Sequence, residues 1–119
     1  MKRDSEALKT RTKKFALRVL RLCRALPRTD EARILGKQLL RCSTSIGANY
    51  RAACRGRSRA EFTAKLGIVV EEADEAVFWL ELLSEGSIFP AEKLVDLLRE
   101  ANELVSIFVS SARAARGIA

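Results

Sequence analysis

Four stretches of this chain place their apolar residues in alternating steps of three and four, and that spacing leaves little choice of fold. The first runs Leu8, Phe15, Val19, Leu22, Leu26, with Thr12 filling one slot. The second runs Leu35, Leu39, Cys42, Ile46, Asn49, Ala53. The third runs Phe62, Leu66, Val69, Ala73, Ala76, Leu80, Leu83, and the fourth Leu94, Leu97, Ala101, Leu104, Phe108, Ser111, Ala115. Steps of three and four keep one stripe of an α-helix facing a neighbour. A strand would need alternation with a period of two, and no segment shows it.

The residues between the stripes fit helix ends. Pro27 closes the first helix, and Thr29 or Asp30 supplies an N-cap for the second. Gly56 suits the position just beyond the second helix. Ser58 and Glu61 have the spacing of a capping box, each side chain satisfying a free amide of the other's turn. So short a turn forces helices two and three to run antiparallel. Gly86 ends the third helix, and Pro90 stands at a first-turn position that tolerates a missing N–H. The expected helices lie near 4–26, 30–55, 58–85 and 90–115. The fold class is all-α: one domain over residues 1–119, an antiparallel up-down four-helix bundle. Gly36, Gly47 and Gly67 fall inside helices, each costing up to about 1 kcal/mol relative to Ala, and close helix approach is the natural compensation.

The apolar faces are wider than one bundle core needs. The third helix adds Ile68, Val70, Val77, Phe78, Trp79 and Leu82, and the fourth adds Val95, Leu98, Val105, Ile107 and Val109. A second buried surface, and so a homo-oligomer, is the expectation. No run of eighteen apolar residues exists, and Met1–Glu6 leads into no apolar signal region, so neither a membrane span nor a secretory leader is expected. Cys23, Cys42 and Cys54 are odd in number and far apart, and the chain has no histidine. They suit small buried hydrophobes in a reducing cytoplasm, with neither a metal site nor another cofactor.

Charge is divided along the chain. Residues 1–57 hold sixteen Lys/Arg against four Asp/Glu, and residues 58–119 hold six against eleven, so a half of +12 adjoins a half of −5. Such a potential selects partners. The candidate polyanion-binding set is Lys14, Arg18, Arg21, Arg24 and Arg28 on helix one, then Lys37, Arg41, Arg51, Arg55 and Arg57 on helix two. Lys9, Arg11 and Lys13 stand beside it. Eight of the ten are arginine, whose forked guanidinium matches phosphate geometry. Either this face meets RNA or DNA through backbone charge, or it is consumed by acidic helix three of the same or a neighbouring subunit. Docking of helix one on an anionic membrane is a third use, but the same stripe serves better in the core.

Glu71, Glu72, Asp74, Glu75 and Glu81 crowd helix three. Carboxylate-bridged metal bundles also need histidine, so ion pairs with the arginine-rich helices are the expected use. Asn49 occupies a stripe position, where a buried amide can fix register and oligomer state, and with Ser45 one turn earlier it can form a small internal network. No catalytic constellation is present, so no enzymatic activity is expected.

The run Ser45-Ile46-Gly47-Ala48-Asn49-Tyr50-Arg51, with Ser58-Arg59-Ala60-Glu61-Phe62, Lys65–Glu75 and Phe78-Trp79-Leu80, resembles a bacterial four-helix-bundle family. That family is encoded by intervening sequences of large-subunit ribosomal RNA genes. It is similar in fold to the accessory variability proteins of diversity-generating retroelements. The resemblance spans roughly Phe15 to Phe108. Ala52-Ala53 stand where relatives carry a glutamate, so any salt bridge of that glutamate is rewired here. The resemblance implies a non-enzymatic bundle assembling into ring-like homo-oligomers, pentamers among them, whose retroelement relatives bind nucleic acid and a protein partner through a basic surface. Ser45, Asn49, Tyr50, Glu71, Glu75, Phe78 and Trp79 are the expected structural and oligomer positions.

Overall fold

The computed structural model describes residues 2–117, with side chains from Asp4 onward. Helices α1 (Lys2–Ala25), α2 (Asp30–Cys54), α3 (Arg59–Glu85) and α4 (Val95–Ala115) form an up-down bundle, with no strand among the described residues. The bundle measures 44 × 24 × 22 Å, as expected for helices of about 25 residues at roughly 1.5 Å per residue. The α2–α3 seam is the broadest, followed by α3–α4 and α1–α2, whereas α1 and α4 meet only briefly.

Local chemistry sets the ends. The Thr29 side chain accepts from the Ala32 N–H at 3.2 Å, and Ser58 accepts from the Glu61 N–H at 3.1 Å. Glu61 reaches back to the Arg57 N–H at 3.4 Å, one residue earlier than a reciprocal capping box requires. At the end of α3 the left-handed residue is Ser87, with φ +57, and Gly86 stays at φ −81. The Ile88 N–H bonds the Leu83 carbonyl at 3.0 Å and the Ser87 N–H bonds Ser84 at 3.1 Å, the pattern of a Schellman turn. Ile88 packs against the core, which places the turn one residue beyond Gly86. Helix four begins later than Pro90. A 3₁₀ turn (Ala91–Lys93) comes first and carries Leu94 into full burial before α4 starts.

The expected stripes of α1 and α3 form the core, with Phe15, Val19, Leu66, Val69, Leu80 and Leu83 fully buried. The Phe15 and Val19 stripe of α1 is thereby spent in the core. Val77, expected on a second face, is also buried. Helix α2 departs by one position. Its buried residues are Ala32, Gly36, Leu39, Cys42, Ser43, Ile46, Tyr50 and Ala53, so Leu39, Cys42, Ile46 and Ala53 keep their expected places while Tyr50 takes that of Asn49, which stands half-buried at the edge. Tyr50 takes the inward place because its ring meets Phe108 of α4, with centroids 5.2 Å apart. Thr12 is buried and satisfied by bonds to the Leu8 and Lys9 carbonyls at 2.8 and 3.1 Å.

Two of the three helical glycines lie against the first helix and its end. A methyl on Gly36 would sit 2.9 Å from Leu26 and one on Gly47 would sit 3.4 Å from Thr12, so α1 and α2 touch there through missing side chains. Gly67 has nothing within 4 Å, so close packing does not account for it.

Candidate nucleic-acid interface

Packing divides the cations of α1 between two flanks. Arg11 points toward α4, where its guanidinium donates to both oxygens of Glu100 at 2.7 and 2.8 Å and to Glu103 at 2.7 Å. The Glu100 carboxylate raises the Arg11 pKa further above its already high value. Lys14, Arg18 and Arg21 follow at three, seven and ten residues, on the same flank of the helix. Lys14 and Arg21 are exposed and Arg18 is half-buried, and none has a carboxylate within ion-pair distance among the described residues.

The other flank of α1 faces α2 across an open groove of about 510 Å³. Its floor is Ala16, Leu17, Leu20 and Leu40, and Lys13, Lys37 and Arg41 stand at its rim with Thr44. A second hollow of about 620 Å³ adjoins it at the α1–α2 turn, where Arg24, Arg28 and Arg33 gather. Arg51, Arg55 and Arg57 are exposed at the opposite end of α2. The candidate cations therefore fall into three separate groups on the α1–α2 hairpin.

Arg41 is the member of the set already used. It pairs with Glu72 at 3.4 Å and with Glu75 of α3. Around that pair the α2–α3 seam holds a continuous polar chain. Asn49 Nδ2 donates to the Ser45 hydroxyl at 2.8 Å and to the Ser45 carbonyl at 3.0 Å. Ser45 Oγ donates to Glu72 at 3.1 Å, and Trp79 Nε1 donates to Glu75 at 3.0 Å. Ser45, Asn49, Glu75 and Trp79 thus act together as a seam lock. Tyr50 lies inward of it, while Glu71 and Phe78 face outward and exposed. The Ser45–Asn49 network and the pairing of α3 acids with an arginine of α2 are as the sequence led one to expect, whereas the choice of Arg41, with partners more than thirty residues ahead, was not legible from phase.

Burial pushes the Cys42 thiol up to about 12 and raises Cys23 as well, so both favour the protonated form. Burial and then the Cys54 contact raise Tyr50. The groove itself escaped the sequence reading. Leu17, Leu20 and Leu40 lie off their stripes, and that was the available signal.

The relatives agree with this architecture. No curated protein matches the chain. A crystal structure from Bacteroides thetaiotaomicron VPI-5482, described as a protein with unknown function from the S23 ribosomal protein family, superposes with a TM-score of 0.84. It is 33% identical, and the match covers 92% of this chain and 97% of that one. The model of the 23S rRNA-intervening sequence proteins matches residues 5–110. With the four helices and the signature around Tyr50 and Trp79, that match makes the chain a member of the 23S rRNA-intervening sequence protein family.

Proposed function

We propose that this protein is a non-enzymatic, cytoplasmic, oligomeric bundle that binds the phosphate backbone of RNA or DNA through the α1–α2 hairpin. One observation carries the reading. Of the ten candidate cations only Arg41 has an ion-pair partner within one copy among the described residues, and Lys14, Arg18 and Arg21 stand together on the α4 flank of α1 with no carboxylate in reach. Fragments of ribosomal RNA, whose genes carry the intervening sequences after which the family is named, are convenient first probes. Binding is set by backbone charge, since no aromatic stacking platform accompanies the arginines.

Self-association is favoured by a separate observation. Phe78 is 50% exposed and Ile34 61%, and Leu17, Ile68, Leu82, Val95 and Val109 join them at the surface. That much apolar area on a small bundle calls for a cover.

Fluorescence anisotropy with labelled RNA and DNA at rising salt tests the first reading. Six to ten phosphate contacts would lower affinity by about 10³–10⁵ between 50 and 200 mM salt. Arg18→Glu with Arg21→Glu weakens binding to every sequence alike and flattens the salt slope. An absence of binding at 50 mM salt would sink the reading.

A further inference from the structure

We propose that the α1–α2 groove seats the outer face of α3 from a second copy of this chain. The inference rests on the self-association reading and names its contact. The argument is complementarity of two surfaces that one molecule carries separately. The groove has an aliphatic floor, with Leu17 41% exposed, between the cations Lys13 and Lys37. The outer face of α3 has the reverse composition. Phe78 and Leu82, four residues apart, form an exposed apolar ridge, with Ile68 two to three turns earlier. Glu71, Asp74 and Glu81 flank that ridge, exposed and without an ion pair among the described residues.

An exposed helical ridge with two anchors one turn apart and a third ten residues earlier on the same face, laid between two helices, is a recurrent way for a helix to bind a groove. Opposite charges at the rim set orientation and speed encounter, while burial of Leu17, Phe78 and Leu82 supplies the affinity. Groove and ridge lie on different helices, so the contact is heterologous. Each copy offers one groove and one ridge, and successive copies close into a ring where the rotation permits. The contact covers Lys13 and Lys37 and leaves Lys14, Arg18 and Arg21 uncovered on the α4 flank of α1. One flank of α1 then serves assembly and the other serves nucleic acid.

The geometry predicts complementation in trans. Leu17→Glu spoils the groove and Phe78→Glu spoils the ridge, and both positions are exposed enough that the fold tolerates the change. Wild-type protein measured by light scattering runs above the 13.2 kDa single-copy mass, and each variant alone runs at that mass. Mixed in equal amounts they form one species of twice that mass, because each pair joins an intact groove to an intact ridge. Lys13→Glu with Lys37→Glu weakens assembly without touching the apolar floor, a check that does not depend on placing a charge there. Wild-type assembly by either apolar variant, or a mixture that stays at single-copy mass, overturns the contact while leaving self-association standing. Unchanged assembly with weakened RNA binding in Leu17→Glu assigns the groove to nucleic acid and overturns it too. A wild type at single-copy mass removes the self-association reading and the contact together.

Discussion

The α1–α2 and α3–α4 hairpins are alike inside and opposite outside. Both bury aliphatic stripes with one large aromatic each on α1 and α4, Phe15 and Phe108, both fully enclosed. Outward, the first hairpin shows unpaired Lys and Arg around a groove, and the second shows unpaired Glu and Asp around exposed Phe78 and Leu82. Burial constrains side chains only on the inward third of each helix, so the outward surface is free to be specialised without cost to the fold. The two hairpins diverge where packing does not reach.

The strongest test of that division lies in the core. Phe15→Ala and Phe108→Ala should each cost about 3–5 kcal/mol in chemical denaturation, by comparable amounts despite the opposite charge of their hairpins. Arg21→Glu, exposed on the outward side, should change stability by less than about 0.5 kcal/mol while weakening nucleic-acid binding. A Phe15 variant that loses much less than the Phe108 variant would mean that the α1 side of the core is loosely packed. That would break the symmetry of the comparison.

Two ion-pair clusters cross from one hairpin to the other, and they should not be equal. Arg11 holds Glu100 with two donors at 2.7 and 2.8 Å, and the Glu100 side chain is only 17% exposed. Arg41 reaches Glu72 at 3.4 Å, with its own side chain 49% exposed. A double-mutant cycle should find a coupling of about 1 kcal/mol for Arg11–Glu100 and a few tenths for Arg41–Glu72. Arg11 thereby fastens α1 to α4 along the seam where those helices otherwise scarcely meet. A larger coupling at Arg41 would instead make the α2–α3 network the dominant clasp.

The inward pattern was legible because it is local. The stripes of α1 and α3 can be read from spacing alone, and the structure buries them as spaced. Helix α2 shows where spacing stops deciding. After Ile46 a step of three would bury Asn49 and a step of four buries Tyr50, and the choice is made by Phe108, fifty-eight residues beyond Tyr50. The set of cations was likewise visible, but not its division into flanks. That division depends on which side of α1 meets α2, and Arg41 is withdrawn from the set only by carboxylates on α3. The groove needed Leu17 and Leu20 brought level with Leu40, a relation between helices that no single periodicity contains.

The smallest effect concerns how each hairpin turns. Between α1 and α2 the chain turns with Thr29 as an ordinary N-cap, all conformations being ones that its residues accept. Between α3 and α4 the turn is fixed by Ser87 in the left-handed region at φ +57, where a β-carbon costs roughly 1–2 kcal/mol. Glycine at that position removes the steric cost but brings greater freedom to the unfolded chain, a loss of about 0.5–1 kcal/mol. The difference leaves Ser87→Gly more stable by about 0.5 kcal/mol, read as a small rise in the denaturation midpoint at unchanged slope. The turn is placed there by Ile88, which must reach the core, so Ile88→Ser should lower the same midpoint. A Ser87→Gly variant that is destabilised would mean that the serine hydroxyl holds the turn, and the α3–α4 connection would then be as well matched to its residues as the α1–α2 one.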